Sequence, residues 1–102
     1  MSRWLVLVPF FVACGGAGRA DTILSLTGDE TAGATIYDDN CAVCHGADGT
    51  GVTGPNLTGE SVGTSVVDTV LDGKEDMPAF GSDLTDQDVA DLLAWLDANV
   101  FG

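Results

Sequence analysis

Two cysteines and a histidine form the most chemically specific pattern in the chain. Cys41, Cys44 and His45 have the spacing Cys-x-x-Cys-His. The cysteines lie about one helical turn apart, so their sulfur atoms can reach the two vinyl groups on one edge of a porphyrin. The adjacent imidazole can then place a nitrogen on the iron. The pattern therefore predicts a c-type haem protein.

Other uses of the same residues fit the chain less well. A redox-active dithiol of the thioredoxin type follows a buried parallel strand, and no segment before Cys41 has that pattern. A structural zinc site requires four ligands, whereas only Cys41, Cys44 and His45 offer thiol or imidazole donors beyond the leader. Two incidental cysteines would leave reactive thiols unexplained in an exported protein. Haem attachment accounts for all three residues.

Residues 1–20 have the organisation of an export signal. Arg3 precedes an apolar run from Trp4 to Ala13, and small residues follow as far as Ala20. The apolar run is well short of the roughly 20 residues that cross a bilayer, and a proline interrupts it. We therefore expect a periplasmic or otherwise exported protein without a permanent membrane span.

Two cleavage sites remain open for this leader. The segment 18–20, Gly-Arg-Ala, has small residues where signal peptidase recognises them, and cleavage there would release a soluble protein that begins at Asp21. The segment 11–14, Phe-Val-Ala-Cys, resembles a bacterial lipobox, although phenylalanine stands where leucine is usual. Cys14 would then carry a lipid that anchors the protein to a membrane surface.

The charge of the chain is strongly negative beyond the leader. All sixteen acidic residues lie from Asp21 onward, and a chain cut before that residue would retain Lys74 as its one basic side chain. Such a surface repels nucleic acid and anionic membranes, so any membrane contact requires the lipid anchor. Two interpretations remain: the acids steer the protein towards a basic redox partner, or they form a solvated coat suited to a saline habitat.

The length predicts one small domain that depends on its cofactor. About eighty residues bury a modest core, and domains of this size commonly need a covalent or metal staple. We expect residues 29–102 to form the domain around one haem, and the chain without haem to be poorly folded. Residues 15–28 are rich in small and hydroxyl side chains and predict a flexible tether, with a brief apolar patch that can dock on the domain.

The first predicted helix of the domain leads into the cysteine pair. Asp29 and Glu30 suit the positive end of a helix. Gly33 and Tyr37 are four residues apart and share one face. A glycine within a helix costs about 1 kcal/mol relative to alanine, which indicates that another backbone or ring packs closely there.

Two further helices complete an all-α domain. Valine and leucine at helical spacing predict a helix over residues 61–71. Thr85 and Asp88 predict an N-cap with a capping box, followed by a helix with Trp95 at the margin of its apolar stripe. The stripe is formed by Val89, Leu92, Leu93, Leu96 and Val100.

Met77 is the leading candidate for a second axial ligand. It is the only methionine after the leader, and His45 is the only histidine. Pro78 favours an extended loop at Met77, and a loop can bring the thioether opposite His45. Deprotonated Lys74 and an open or water-bound position are the alternatives.

The second nitrogen of His45 needs a hydrogen-bond acceptor that fixes the plane of the ring. Pro55, in the segment Gly-Pro-Asn-Leu at 54–57, can offer its backbone carbonyl. The glycines between His45 and Pro55 make this loop compliant enough to fold beneath the haem.

The chain resembles the class I cytochrome c family over residues 29–100, particularly its small bacterial and photosynthetic electron carriers. The resemblance depends on the order of Gly33 and Tyr37, Cys-Ala-Val-Cys-His, the segments 54–57 and 77–80, and Trp95. It implies an all-α bundle wrapped around haem, with Gly33 and Tyr37 against Trp95. It also implies the following site: thioethers at Cys41 and Cys44, axial ligands His45 and Met77, and the Pro55 carbonyl as acceptor from His45. The domain departs from the family pattern because it has no arginine for the haem propionates.

These features predict a monomeric carrier of single electrons between redox proteins, rather than an enzyme. Two strong axial ligands leave no position for a substrate. One alternative is a small haem subunit of a larger oxidoreductase. The other is a sensor or enzyme with an open iron site, for which the chain lacks a second histidine to polarise a bound peroxide.

Overall fold

The computed structural model describes residues 18–101, and the regular structure of these residues is helical. The helices are α1 (Gly18–Ser25), α2 (Glu30–Asn40), α3 (Ala42–His45), α4 (Thr64–Asp72) and α5 (Asp86–Leu96), followed by a π-helical turn (Asp97–Phe101). The prediction of an all-α fold is confirmed. Within the described residues, no helix is both long enough and apolar enough to cross a membrane.

Both long helices begin with a side-chain cap, and the cap at Thr85 is the one predicted from the sequence. The Asp29 side chain accepts a hydrogen bond of 2.9 Å from the backbone N–H of Thr31 at the start of α2. At the start of α5, Thr85 and Asp88 form a reciprocal capping box, in which each side chain accepts from the other residue's N–H. These bonds satisfy N–H groups that have no partner within the helix. Local sequence therefore fixes where both helices begin.

Helices α2 and α5 cross in direct backbone contact at Gly33. A Cβ atom at this position would lie 1.9 Å from the carbonyl oxygen of Asp91 and 2.9 Å from Cβ of Trp95. One turn along α2, the Tyr37 ring packs on the Trp95 ring, with the centroids 4.5 Å apart. The predicted packing of Gly33 and Tyr37 against Trp95 is therefore present. Only glycine allows the two helices to approach this closely.

The core lies between α2 and α5 and is completed by α1 and α4. Its largest fully buried side chains come from all four of these helices: Ile23, Tyr37, Val67, Val89 and Leu92. Trp95 is partly buried at the edge of this cluster. The aromatic ring thus has the scaffold position that its place on the helix predicts.

The segment predicted as a flexible tether over residues 15–28 is instead largely helical where the structure describes it. Residues 18–25 form α1, and Ile23 is only 1% exposed because α1 packs on α4 and α5. Burial of one isoleucine contributes about 1.5–3 kcal/mol, which outweighs the weak helix preference of the neighbouring glycine, threonine and serine residues. Residues 26–28 follow α1 without regular structure, whereas residues 15–17 of the predicted tether and residues 1–17 of the export signal, with Cys14, lie outside the described residues.

The crossing at Gly33 generates a stability prediction for Gly33→Ala. Alanine gains about 1 kcal/mol of helix propensity, but its methyl group would overlap the Asp91 carbonyl oxygen, a backbone atom that cannot rotate away. We expect a net loss of about 1–2 kcal/mol and a Tm lower by roughly 5–10 °C, measured by circular dichroism of the holoprotein.

Gly63→Ala is the matched control, because Gly63 has an extended backbone and no atom lies within 4 Å of the position that a Cβ would take. This variant should unfold within a few degrees of the wild type. Equal Tm values for the two variants would show that the crossing can relax and does not require glycine.

Candidate haem site

The two cysteines are presented on a single helical turn at the end of α2. The N–H of Cys41 donates to the carbonyl oxygen of Tyr37 at 2.8 Å and closes α2, while the Cys41 carbonyl accepts from the N–H of Cys44 and of His45 and opens α3. Both thiols are free and half-buried. The crossing of α2 with α5 therefore also determines where the cysteine pair lies.

Burial raises the pKa of the Cys41 thiol to about 11, with a smaller contribution from neighbouring Cys44. A thiol with this pKa is almost entirely protonated near neutral pH. Redox-active dithiols instead have a lowered pKa, since the thiolate is the reactive form. The raised pKa of Cys41 therefore argues against its use as the reactive thiol of a thioredoxin-type site.

His45 is buried and held by one ring nitrogen. The ring is 7% exposed, and Nδ1 lies 2.8 Å from the carbonyl oxygen of Pro55. Because a carbonyl only accepts, Nδ1 carries the proton and the lone pair of Nε2 remains available to a metal. The contact between His45 and Pro55 is the one expected from the sequence.

The loop after His45 folds back beneath the ring. The N–H groups of Val52 and Gly54 donate to the carbonyl of Cys44 at 2.9 and 2.7 Å, and Gly51 donates to the carbonyl of His45 at 2.7 Å. A Cβ at Gly54 would lie 3.1 Å from both Cε1 and Nδ1 of the His45 ring. Glycine at position 54 therefore allows the carbonyl of Pro55 to reach the imidazole. The sequence predicts Gly54 only as part of a compliant loop. Its position directly before Pro55 is the sequence signal that could have indicated close contact with the His45 ring.

Tyr37 connects the helix crossing to this loop. Its hydroxyl donates to the carbonyl oxygen of Gly46 at 2.7 Å, one residue after His45. Burial is the main cause that raises the pKa of Tyr37 to about 12, so the hydroxyl remains a donor throughout the physiological pH range. One aromatic residue thus contacts Trp95 through its ring and the haem-site loop through its oxygen.

Met77 lies on a separate segment between α4 and α5. Lys74 and Met77 exchange two backbone hydrogen bonds of 3.1 and 2.9 Å, which form a tight turn. Glu75 within this turn has a φ of +56°, a conformation that costs a non-glycine residue about 1–2 kcal/mol. The Met77 side chain is half-buried against the core.

Of the residues predicted for the site, the structure brings four together: Cys41, Cys44, His45 and Pro55. They fit a covalently bound haem, since two free thiols share one turn, and Nδ1 of the imidazole is held by the Pro55 carbonyl, which leaves Nε2 for a metal. Met77 lies on a separate, non-helical segment, where it closes the turn with Lys74. Its role as a ligand remains a prediction.

Comparison with known proteins identifies relatives over most of this domain. The family model of cytochrome C oxidase, cbb3-type, subunit III matches residues 28–96. A cytochrome c-553-like protein of Synechocystis sp. is 40% identical over 78 residues, which cover 72% of each chain.

Solved structures agree with the sequence relatives. Cytochrome c6 from the diatom Phaeodactylum tricornutum is 36% identical, with a TM-score of 0.60 over 68% of this chain and 91% of that chain. Cytochrome cL from Hyphomicrobium denitrificans is 29% identical, with a TM-score of 0.59 over 66% of this chain, and the match spans 45% of that longer chain. With the Cys-x-x-Cys-His turn, the tied histidine and the helix crossing, these matches establish that the chain belongs to the class I cytochrome c family.

Proposed function

We propose that this protein is a mono-haem electron carrier that works outside the cytoplasm, with His45 and Met77 as the axial ligands. The observation that carries the proposal is the buried ring of His45. It lies on the same turn as Cys41 and Cys44, and the Pro55 carbonyl fixes its orientation. When bound, the haem supplies a one-electron couple.

Four residues have different roles in binding the haem. Cys41 and Cys44 attach it covalently, and His45 occupies one axial position with a fixed ring plane. Met77 brings a soft thioether to the other axial position, which raises the reduction potential. With both positions taken by side chains, no site remains for a substrate, and the protein is a carrier rather than an enzyme.

An exposed apolar surface beside the cysteine turn is suited to a transient partner. Val43 and Val52 are 76% and 71% exposed, the highest values among the large apolar side chains that the structure describes as exposed. Exposed Asp48 lies on the same loop, and hydrogen bonds from Thr50 lower its pKa, so this carboxylate keeps its charge in mildly acidic solution. We propose that a basic redox protein docks here, guided by the acidic surface.

Export precedes this function, because the proposed partners lie outside the cytoplasm. We propose that a signal within residues 1–20 directs the export, and that the protein is either released or retained by a lipid on Cys14. The signal pattern of the leader supports export, as do the relatives named above.

A second candidate function is that of a haem subunit in a larger oxidoreductase. The specific observation that favours it is the matching family model, which describes a subunit of a cbb3-type oxidase. Native mass measurement of the protein extracted from membranes distinguishes the candidates. A monomer supports the free carrier, and a stable complex supports the subunit.

Removal of the Met77 thioether tests the ligand set. Ferric wild-type protein should show the long-wavelength charge-transfer band of thioether-bound iron, and ferrous wild type should not bind carbon monoxide. Met77→Ala should lose the band and bind carbon monoxide stoichiometrically, since one axial position becomes open. Val66→Ala, a truncation of another half-buried core side chain, should keep the wild-type spectrum. Rapid binding of carbon monoxide by the wild type would contradict Met77 ligation and favour the open-site alternative.

Gly54→Ala tests the orientation of His45. Gly54 does not have a positive φ, so the effect of this substitution is steric: the new methyl group displaces either the imidazole or the Pro55 carbonyl. A weaker hydrogen bond from Nδ1 to the Pro55 carbonyl makes the imidazole a poorer electron donor to ferric iron, and the reduction potential should rise. Potentiometric titration measures the change, with Gly63→Ala as the control. Equal potentials for both variants would show that the loop adapts without disturbing the ring.

Neutralisation of Asp48 tests the docking surface. Asp48→Asn retains an oxygen for the contacts with Thr50 and removes the charge. With a cationic metal–ammine complex as oxidant, the bimolecular rate constant for oxidation of the ferrous protein should fall by roughly twofold. The change is small because one charge contributes only part of the tenfold or larger effect of a whole charged patch. The wild-type rate should also decrease as salt is added.

Asp68→Asn is the matched control, because Asp68 is exposed on α4 beside α1 rather than on the loop after His45. Stopped-flow absorbance measures both rates at low ionic strength. Equal slowing by the two substitutions would mean that net charge, rather than a local docking surface, governs the encounter.

A further inference from the structure

Arg19 makes three contacts that join α1 to the segment between Met77 and α5. Its Nε lies 2.5 Å from Oδ1 of Asp86, its Nη2 donates to the carbonyl oxygen of Leu84 at 2.6 Å, and its Nη1 donates to the carbonyl oxygen of Gly81. Each acceptor is more than 60 residues away in sequence. The planar guanidinium can serve all three acceptors at once because its donors form a rigid fork.

These contacts complete the support of the Met77 segment. On one side, Phe80 and Gly81 donate backbone hydrogen bonds to the carbonyls of Val70 and Leu71, at 2.9 and 3.0 Å, and so attach the segment to α4. On the other side, Arg19 binds the carbonyls of Gly81 and Leu84. The chain that follows Met77 is therefore held between α4 and α1.

Cleavage after Ala20 would remove this support. The product would begin at Asp21 and would lack both Arg19 and the first residues of α1. Arg19 is the only arginine among residues 18–101, so no other guanidinium in this part of the chain could replace it. The two carbonyls and Asp86 would lose their shared donor. Cleavage before Cys14 would retain all of α1.

We propose that the mature protein retains Arg19, because the leader is removed upstream of Gly18, and that Arg19 is a positioning residue for the segment that carries Met77. The retention of Arg19 is independent of the proposed function. The positioning role rests on the proposed ligation by Met77.

The intact mass of the holoprotein, exported from the full-length gene, tests the retention of Arg19. A mass that corresponds to a chain beginning at or before Gly18, with or without attached lipid, supports the proposal. A chain that begins at Asp21 overturns it, because the segment 18–20, Gly-Arg-Ala, would then be the site of cleavage.

Arg19→Ala and Arg19→Lys test the positioning role in the ferric holoprotein. Thr22→Ala, an exposed substitution on the same helix, is the control. On heating, Arg19→Ala should lose the thioether charge-transfer band well before its helical circular dichroism signal, and its ferrous form should bind carbon monoxide faster. Arg19→Lys should be intermediate, because one ammonium group cannot reach three acceptors in a planar arrangement.

These measurements distinguish failure of the positioning role of Arg19 from failure of the proposed Met77 ligation. Loss of the band only together with global unfolding, as in the control, would assign Arg19 a purely structural role and overturn the positioning role. Absence of the band from the wild type would instead contradict the proposed Met77 ligation, while the mass measurement would still decide whether Arg19 is retained.

Discussion

The close crossing of α2 and α5 is the constraint on which the rest of the structure depends. At Gly33, the backbone of one helix contacts the backbone of the other without an intervening side chain. This contact fixes the axis of α2, whose last turn ends at Cys41 and leads into the haem-site turn. Tyr37 extends the same constraint to the carbonyl of Gly46. A scaffold contact distant from the thiols therefore determines the geometry of the electron-carrier site.

Among residues 18–101, Asp91 is the one acidic side chain that is buried in this scaffold. The carboxylate of Asp91 is buried, and it accepts hydrogen bonds from the backbone N–H of Asp29 at 2.8 Å and from Nε2 of Gln87 at 2.9 Å. A buried charge is tolerated only when such donors replace the lost hydration. Asp91 thus belongs to the crossing itself, since it ties the start of α2 to α5. The other acids of the described residues are exposed or half-buried.

The sequence predicts the features that depend on short-range spacing. The Cys-x-x-Cys-His turn, the cap at Thr85 and the apolar face of α5 all lie within a few residues of the signals that specify them. The sequence does not reveal α1 as a packed helix, because its stability depends on distant acceptors for Arg19 and on burial of Ile23. Composition predicts a tether, and tertiary contacts override that local preference.

The helix crossing also imposes an order on folding. Asp29 and Asp91, which are hydrogen-bonded at the crossing, are 62 residues apart in sequence. This contact cannot form until the chain has been made as far as α5, and it closes a long loop whose ordering costs conformational entropy. Because α5 follows the cysteine turn along the chain, the turn is synthesised before its supporting helix is available. Before α5 docks, Cys41 and Cys44 would therefore be open to covalent attachment of a haem, and the helix crossing would hold their turn in place afterwards.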